Sequence, residues 1–366
     1  MRLGVAAAFV DGHRIAGDVD VVDGQVAAVG LGGPIGCGLA VAGFVDLQVN
    51  GFAGVDFLAT DSDGYRRAGE ALAATGVTAY LPTFISSPLD AYWPALGQAR
   101  AAQALACGPR VVGVHLEGPF LARQWAGAHD PANIIEPDLG LAGKLLDAGP
   151  VVYMTVAPER PGGLELVTRL VRAGVVVACG HTDADAPTAS AAFDRGARAV
   201  THIYNAQRRW RPRDPGVAGA ALCRSEVTVQ AIVDGFHLAP ETAYQTFLAA
   251  RGRFALVTDA VEAAGLGEGT YRLGDRMVTV AGGAVRLADG TLAGSALTLD
   301  AAVRNLAALG APAAEALAAA AAVPARLLGR PDLGALRPGL PADIAVLDDD
   351  LRVVRTLVAG DELFAR

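Results

Sequence analysis

Eight short apolar runs, rich in β-branched residues, recur along the middle of the chain and constrain its fold more than any other feature. Most of the gaps between them hold stretches rich in Ala, Leu and Arg that favour helices, such as 64–74 and 164–173. After the eighth run, residues 298–310 and 313–329 are also predicted helices. Apolar strands that alternate with helices predict a parallel sheet covered by helices. Eight units of this kind predict an α/β fold, a (β/α)₈ TIM-like barrel, with a doubly wound open sheet as the alternative. The runs lie at 44–51, 77–84, 111–118, 151–159, 175–182, 199–205, 228–237 and 254–260.

Both ends of the chain show the alternating pattern of antiparallel strands. Residues 18–30 alternate, turn at Asp23-Gly24 and alternate again, which predicts a β-hairpin. Residues 342–364 predict two or three strands with a polar turn at 348–350. Because neither end could bury its apolar face alone, we expect the two to pair in one small β-sandwich domain. The predicted division is a small β-sandwich at 1–43 and 338–366 and a barrel at 44–337 with a β-hairpin insertion at about 269–294.

The composition excludes several function classes. With 366 residues, of which 52% are hydrophobic and 19% charged, the chain can bury a large core and is not a disordered protein. The formal net charge of −8 argues against a broad nucleic-acid surface, although a few local arginines suffice for a small anion. The four cysteines stand far apart without a CxxC pair, which favours reduced thiols in the cytoplasm. They are Cys37, Cys107, Cys179 and Cys223.

No segment has the pattern of a targeting signal or a membrane helix. The apolar residues 3–10 lack a small-residue cleavage pattern. The long uncharged stretch 26–45 contains six glycines and a proline, which disfavour a membrane helix. We therefore expect neither a membrane nor a nucleic acid among the partners of this chain.

Polar residues gather at the ends of several of the apolar runs. His115 and Glu117 lie near the end of the third run, His181 near the end of the fifth and His202 within the sixth. In a barrel the carboxyl ends of the strands converge on one face, which holds the active site. Two imidazoles and one carboxylate suit Zn²⁺ or Fe²⁺ and leave positions open for water. We predict a metal site there, the alternative being that each histidine is a core residue hydrogen-bonded to a neighbour.

Two further groups carry chemistry that suits such a site. Asp259 ends the eighth run, where a carboxylate could act as general base and then as general acid. The alternative role for Asp259 is that of an N-cap for the next helix. An arginine cluster in the loop after the sixth run suits a phosphate or a carboxylate, although a solvated loop has the same composition. The cluster consists of Arg208, Arg209, Arg211 and Arg213.

Short motifs around these residues follow one another along the chain. They are HLEGPF (115–120), GAHDP (127–131), GHTDA (180–184), THIYNA (201–206), RDPG (213–216), DGFHL (234–238), LVTDA (256–260) and LAGSALTLDAAVRNL (292–306). Together they resemble the N-acetylglucosamine-6-phosphate deacetylases, a family of the amidohydrolase superfamily, over nearly the whole chain. The resemblance implies metal-dependent deacetylation of N-acetyl-D-glucosamine 6-phosphate to D-glucosamine 6-phosphate and acetate. It places that reaction in amino-sugar catabolism or cell-wall recycling.

The same resemblance implies roles for individual side chains. Glu117, His181 and His202 would be the metal ligands, and Asp259 would be the catalytic acid and base. One divalent metal per subunit is implied, with zinc first and iron, cobalt or manganese as alternatives. Substrate contacts are implied for Ala128, His129, Asn205, Ala206, Arg213, Asp234, His237, Leu292, Ala293 and Gly294.

The resemblance also assigns particular contacts within the substrate. His129 would aid the carbonyl oxygen of the acetyl group. Asn205, Ala206 and Arg213 would hold the phosphate and the sugar hydroxyls. Members of the family are homodimers or larger, and residues matching Arg213 and His237 reach into the neighbouring subunit's site. We therefore expect a homodimer, or a dimer of dimers, with active sites shared across the interface.

Two positions depart from the expected pattern. Gln48-Val49-Asn50 ends the first run, where many amidohydrolases carry His-x-His and bind a second metal. Neutral amides are poor ligands for a divalent transition metal, so we predict one metal rather than two. Asp130 stands where Asn is expected after the histidine, which adds a negative charge near the expected sugar site.

Three alternative functions remain at this point. The same reaction on N-acetylgalactosamine 6-phosphate differs only at the C4 hydroxyl of the sugar. Hydrolysis of another amide, such as a cyclic imide or an N-acyl amino acid, is a second alternative. The arginine-rich loop, which suits a phosphate, argues against it. A non-catalytic amidohydrolase-like scaffold would not need Glu117, His181, His202 and Asp259 together.

Overall fold

The N-terminal part of the chain forms short antiparallel strands. The structure is a computed structural model that describes residues 1–33, 36–105, 108–274 and 276–366. Asp23 and Gly24 have φ values of 48° and 75°, so both central residues of the turn are left-handed, as a tight hairpin requires. The predicted hairpin is confirmed by β3 and β4 in the series β1 (Ala7–Val10), β2 (His13–Ala16), β3 (Asp18–Val22), β4 (Gln25–Leu31) and β5 (Leu39–Ala42).

A parallel barrel follows, and within the described ranges it has eight strands, β6, β9 and β11 to β16. Its elements in chain order are β6 (Phe44–Val49), β7 (Gly51–Phe52), β8 (Val55–Asp56), β9 (Val77–Ile85), β10 (Arg110–Val111), β11 (Val114–Glu117), β12 (Val151–Val156), β13 (Val176–Cys179), β14 (Ala199–Val200), β15 (Thr228–Ala231) and β16 (Phe254–Leu256). Neighbouring barrel strands pair in parallel from β6 to β16. Val49 bridges Ala260 in parallel and closes the barrel, which confirms the predicted barrel and excludes the open sheet.

Helices cover the outside of the barrel. They are α1 (Ser62–Ala73), α2 (Leu89–Gln103), α3 (Leu139–Ala148), α4 (Gly163–Arg172), α5 (Ala186–Asp194), α6 (Gly216–Leu222), α7 (Pro240–Ala249), α8 (Leu299–Ala308), α9 (Ala313–Ala320) and α10 (Ala322–Leu327), with short 3₁₀ turns at Arg123–Trp125 and Pro131–Asn133. The face of α4 that carries Leu166 and Leu170 is buried against the core. In the part of the chain that the structure describes, no helix is long and apolar enough to cross a membrane.

The predicted helix over 313–329 is interrupted at Ala321. That residue has φ −130° and ψ −76°, which is not helical, and it separates α9 from α10. Pro324 explains the break, because it has no N–H for the carbonyl of Ala320 and its ring collides with that carbonyl in a continuous helix.

The insertion after the barrel is a three-stranded antiparallel sheet rather than one hairpin. Its strands are β17 (Gly269–Leu273), β18 (Arg276–Ala281) and β19 (Ala284–Arg286). Gly282 and Gly283 have φ values of 57° and 85° and reverse the chain a second time, which the single-hairpin prediction missed. The inner face of this sheet packs on Ala293 and on Ile85 and Val261, which lie at or just beyond the carboxyl ends of barrel strands.

The two ends of the chain share one sheet. The last strands are β20 (Ile344–Leu347), β21 (Val353–Val358) and β22 (Asp361–Ala365), and the sheet order is β2-β1-β5-β20-β21-β22. The β3–β4 ribbon buries Val19, Val21 and Val26 in one apolar cluster with residues of this sheet, such as Ile344. The two layers form the expected small β-sandwich, whereas the boundaries at residues 43 and 338 stay a prediction.

Candidate active site

Three metal-ligand atoms converge at the carboxyl ends of the barrel strands. Oε1 of Glu117 lies 2.9 Å from Nε2 of His202 and 3.1 Å from Nε2 of His181. The two Nε2 atoms lie 3.1 Å from each other. In a tetrahedral zinc site with bonds of about 2.0–2.1 Å, donor atoms are about 3.3 Å apart, so this trio has the spacing of a metal site. Glu117, His181 and His202 could therefore hold a divalent cation.

Strained backbone presents these side chains to the barrel mouth. His181, His202 and Asp259 have φ values of 47°, 25° and 50°. A left-handed conformation costs a residue with a side chain about 1–2 kcal/mol, and such strain is concentrated at functional sites. Each of them lies two or three positions beyond the end of a barrel strand, where the chain turns out of the sheet. The fold therefore holds these three positions in place at a cost.

The tautomer of His181 suits a metal ligand. Its Nδ1 lies 2.8 Å from the carbonyl oxygen of Trp125. Because a carbonyl only accepts hydrogen bonds, Nδ1 carries the ring proton and Nε2 keeps its lone pair for a cation. Two ring nitrogens as close as those of His181 and His202 need a proton or a cation between them. The chemistry of the donor set therefore fits the metal that the sequence predicts.

His129 has the opposite tautomer. The backbone N–H of Ser86 donates to Nδ1 of His129 at 3.1 Å, so the ring proton of the neutral imidazole is on Nε2. This Nε2 lies 3.6 Å from Oε2 of Glu117. Glu117, His129 and His181 also form a group with ligand atoms within 4.8 Å of one another. Nδ1 of His202 has no hydrogen-bond partner among the described residues, so the ring proton of a neutral His202 can lie there and leave Nε2 for a metal. We therefore favour His202 over His129 as the third donor.

Burial and mutual hydrogen bonds set the charges of the cluster. Burial alone would raise the pKa of Glu117, but hydrogen bonds from His129 and His202 hold this pKa well below its usual value. Burial lowers the pKa of His181 to about 4, so its imidazole is neutral at pH 7. Burial also opposes the charge on His202, yet its hydrogen bond to Glu117 raises the pKa of His202 overall. The cluster thus contains an ionised carboxylate and a neutral imidazole, the forms that bind metals.

Asp259 lies beside the cluster and is held by two amides. Nε2 of Gln48 donates to Oδ1 of Asp259 at 3.1 Å and to Oε1 of Glu117 at 2.9 Å. Nδ2 of Asn50 donates to the same Oδ1 at 2.7 Å. Burial, followed by the charge of Glu117, raises the pKa of Asp259 to about 7. A carboxyl group with such a pKa can both accept and release a proton near neutral pH.

A cavity of about 400 Å³ opens onto these groups. Predicted residues that line it are Glu117, Ala128, His129, His181, His202, Asn205, Ala206, His237, Asp259, Leu292 and Gly294. Ala293 is fully buried under the inserted sheet instead. Asp234 acts through a neighbour, because its Oδ2 accepts a hydrogen bond from Nδ1 of His237 at 2.7 Å. His237 lines the cavity of its own chain, which leaves the expected contact with a neighbouring subunit a prediction.

The arginine-rich loop does not reach this cavity within one chain. Arg208 forms an ion pair with Asp214, in which its Nε lies 2.9 Å from Oδ1 of Asp214. Its Nη1 also lies 3.4 Å from Oδ2 of Asp183. Arg213 is exposed and is not part of the cavity wall. Asp130, the unexpected acidic residue, caps a 3₁₀ turn by accepting the N–H of Ala132 at 2.9 Å. Its carboxylate is therefore used locally.

The sequence reasoning missed several residues that shape the site. Gln124, Trp125, Arg286 and Thr291 line the cavity. Gly127 has φ 57°, and a Cβ there would lie 3.3 Å from the ring of His181. The GAHDP motif signalled the region of Gly127, whereas no sequence pattern shows that a backbone carbonyl orients a histidine.

His115, grouped in the sequence with the strand-end histidines, belongs to the core. It lies inside the barrel, with Nδ1 3.1 Å from the carbonyl oxygen of Leu47 and Nε2 2.8 Å from Oγ1 of Thr155. Burial lowers the pKa of His115 to about 4, so it is neutral. His115 is therefore a core residue hydrogen-bonded to its neighbours, the alternative given above for each histidine.

A closed parallel barrel with a metal-binding trio and a titratable aspartate at its mouth defines a class, the (β/α)₈-barrel hydrolases. The chain belongs to the amidohydrolase family, whose model matches residues 39–363.

Curated relatives are similar over most of the chain. It is 38% identical to the N-acetylglucosamine-6-phosphate deacetylase of Bos taurus over 344 residues, 89% of this chain and 83% of the relative. It is 35% identical to the N-acetylgalactosamine-6-phosphate deacetylase of Escherichia coli O157:H7 over 371 residues, 98% of this chain and 97% of the relative.

Solved structures agree with the fold throughout. An N-acetyl-D-glucosamine-6-phosphate deacetylase mutant of Mycobacterium smegmatis, in complex with N-acetyl-D-glucosamine-6-phosphate, is 36% identical, with a TM-score of 0.94 over 100% of this chain and 99% of that one. The N-acetylglucosamine-6-phosphate deacetylase of Thermotoga maritima is 32% identical, with a TM-score of 0.93 over 100% of both chains.

Proposed function

We propose that this chain deacetylates N-acetyl-D-glucosamine 6-phosphate, giving D-glucosamine 6-phosphate and acetate. The observation that carries the proposal is that Asp259, with a pKa of about 7, lies beside a metal-binding trio in one cavity. The similarity to deacetylases over the whole chain supports the choice of substrate. Amino-sugar catabolism and cell-wall recycling both use this reaction.

The metal part of the proposal is one divalent cation held by Glu117, His181 and His202. Zinc is the first choice, with iron, cobalt or manganese as alternatives. Such a cation supplies Lewis acidity, which polarises a carbonyl group and makes water more acidic. The amide N–H groups of Gln48 and Asn50 already donate to carboxylates, which supports a single metal rather than two.

Asp259 moves the protons in the proposed reaction. Both amide hydrogen bonds end on Oδ1, so Oδ2 is the atom that takes a proton from the attacking water. The protonated carboxyl group then gives this proton to the amine nitrogen as the C–N bond breaks. Nε2–H of His129, fixed by its bond to Ser86, would donate to the oxyanion that forms on the acetyl carbon.

Substrate binding is assigned to the walls of the same cavity. Ala128, His237, Leu292 and Gly294 would contact the sugar and acetyl parts, with Asp234 fixing the ring of His237. Asn205 and Ala206 would contact the phosphate. Because Arg213 is exposed in the single chain, its proposed phosphate contact would be made in a neighbouring subunit of a homodimer or dimer of dimers. Ala293, which is buried, would support Leu292 and Gly294.

We also propose that the protein works in the cytoplasm. The cysteines that the structure describes, Cys37, Cys179 and Cys223, are free thiols, as a reducing compartment favours. Cys107 lies outside the described residues.

Acetate release by purified, metal-loaded protein tests the proposal. N-acetylglucosamine 6-phosphate should react fast, and unphosphorylated N-acetylglucosamine at least about 10-fold more slowly, because a charged hydrogen bond to phosphate contributes about 1.5–3 kcal/mol. N-acetylgalactosamine 6-phosphate belongs in the same assay, since one similar relative is named for it. Faster release from that sugar would transfer the proposal to the galactosamine reaction. No release from any of the three, despite bound metal, would reject these substrates and leave hydrolysis of another amide or a non-catalytic scaffold.

A further inference from the structure

The peptide groups on both sides of Asp259 are held by neighbours. Its N–H donates to the carbonyl of Gln48 at 2.9 Å, and its carbonyl accepts the N–H of Ser295 at 2.8 Å. Its left-handed φ of 50° therefore persists between two fixed peptide groups. The direction of the carboxylate depends on whatever keeps these peptide groups in place.

Asp46 is a fully buried carboxylate on β6 that has no part in the proposed reaction. Its Oδ2 accepts the hydroxyl of Thr258 at 2.6 Å. Its Oδ1 accepts the backbone N–H of Thr258 at 3.3 Å and that of Gln48 at 3.2 Å. Asp46 thus ties the residue before Asp259 to the strand that carries Gln48.

Ser295 holds the same segment from the opposite side. Its Oγ donates to the carbonyl of Thr258 at 2.6 Å and accepts the N–H of Leu297 at 3.0 Å. Together with its own N–H, Ser295 fixes both carbonyl groups of the dipeptide Thr258–Asp259. Asp46, Thr258 and Ser295 are all nearly inaccessible to solvent, so water does not compete for these bonds.

We propose that Asp46, Thr258 and Ser295 form a positioning clamp that aims the carboxylate of Asp259. None of the three lines the cavity, so they are positioning residues and not catalytic ones. Barrel closure itself is made by backbone pairing at Val49 and Ala260. The side-chain bonds of the clamp act instead on the residue before Asp259, which keeps Oδ1 on Asn50 and Oδ2 free for the proton. The catalytic meaning of this clamp rests on the proposed function.

Thr258→Val tests the clamp with the smallest change of shape, because it removes the hydroxyl and keeps the volume. We expect kcat to fall about 10–100-fold, while KM and metal content stay within about twofold. Thr258→Ser keeps the hydroxyl and should restore kcat. Thr356→Val is the matched control, because it removes a buried hydroxyl that donates to the carbonyl of Ala73 at 2.7 Å, away from the barrel mouth. Its kcat should equal that of the wild type.

Crystal structures of Thr258→Val and Ser295→Ala give a second measurement that does not need activity. The contact between Nδ2 of Asn50 and Oδ1 of Asp259, 2.7 Å here, should lengthen beyond hydrogen-bond distance in both variants. An unchanged contact in both variants would overturn the clamp, as would an unchanged kcat in Thr258→Val. A wild-type protein that releases no acetate would overturn the proposed function alone, because the crystal structures would still decide the position of Asp259.

Discussion

The two oxygens of the Asp259 carboxyl group have different surroundings. Among the described residues, side chains donate to Oδ1 from Gln48 and Asn50. Oδ2 remains for the reaction, and the raised pKa of about 7 makes it basic enough to take a proton and acidic enough to return it. The central step of the proposed reaction therefore depends on one atom.

Asp259→Asn should abolish most of the activity without loss of the metal. The amide keeps an oxygen for the bonds from Gln48 and Asn50 but cannot take a proton, so we expect kcat to fall about 10²–10⁴-fold. Acetate release and metal analysis on the same preparation measure both properties. A variant that keeps most of the wild-type kcat would show that Asp259 is not the base.

Asp46 should make stability depend on pH. Burial raises the pKa of Asp46 from 3.8 to about 7, although hydrogen bonds from Thr258 and Gln48 lower it. The folded state therefore binds this proton more tightly than the unfolded chain does. The contribution of this tighter proton binding to the free energy of unfolding is complete below the unfolded pKa of 3.8. It is lost as the pH rises through the folded pKa of about 7.

Asp46→Asn, which cannot ionise, provides the measurement of this effect. The free energy of unfolding of the wild type minus that of the variant should fall by about 2–4 kcal/mol between about pH 4 and about pH 8. Urea unfolding of both proteins across this range would determine it. A difference that does not change with pH would contradict the raised pKa of Asp46.

Residues of the site differ in how visible they are in the sequence. Glu117, His181, His202 and Asp259 are predictable, because the carboxyl ends of barrel strands must converge. The clamp is not predictable, because Asp46 and Thr258 are 212 positions apart and meet only once the barrel closes. The orientation of His181 by the carbonyl of Trp125 is not predictable either. Every residue has a backbone carbonyl, so the sequence does not show which one a histidine contacts.

At the scale of elements, the inserted sheet supports the loop that carries His129. Arg276 on β18 donates from Nη1 to the carbonyl of Ala128 at 3.2 Å and to that of His129 at 3.3 Å. The insertion therefore forms one wall of the cavity and also holds the opposite loop. The three inserted strands therefore affect catalysis indirectly, although none of their residues is proposed to take part in the chemistry.

Arg276→Ala should lower kcat/KM by about 3–30-fold, since charged hydrogen bonds contribute about 1.5–3 kcal/mol when buried and less at this half-buried position. Arg272→Ala is the matched control, because Arg272 is exposed on the neighbouring strand β17. Its kcat/KM should match that of the wild type. Equal losses in the two variants would mean that the sheet matters only through its charge.

Elements were predictable where one local cause decides the structure. The barrel strands follow from apolar runs buried on both faces, and the β3–β4 turn follows from Asp23-Gly24. The predicted elements are wrong where one or two residues interrupt a longer run of uniform composition. The alanine-rich run around Pro324 predicts one helix where the structure has two, and the predicted single hairpin lacks the second turn at Gly282-Gly283. Both errors concern chain reversals set by one or two residues.

At the scale of the whole molecule, we propose that Arg213 makes its phosphate contact in the site of a second subunit. Arg213 is exposed within one chain and stands outside the cavity wall. A mixed dimer of Asp259→Asn and Arg213→Ala chains should then contain one intact site, built from the wild-type Asp259 of one chain and the wild-type Arg213 of the other. Its activity should be about half that of the wild-type dimer.

Co-expression with two different affinity tags would yield this mixed dimer in pure form. Acetate release at a low concentration of N-acetylglucosamine 6-phosphate is the appropriate measurement, because loss of a phosphate contact raises KM. The two parent variants serve as controls. A mixed dimer no more active than the mean of its parents would show that Arg213 does not serve the neighbouring site.

We propose that one cation, held by Glu117, His181 and His202, works with Asp259 in each chain. A titration of metal-stripped protein with Zn²⁺, with acetate release from N-acetylglucosamine 6-phosphate measured at each step, tests this directly. Activity should rise in proportion to added metal and stop rising at about one equivalent per chain. A rise that continues to two equivalents, or full activity in the stripped protein, would contradict the claim.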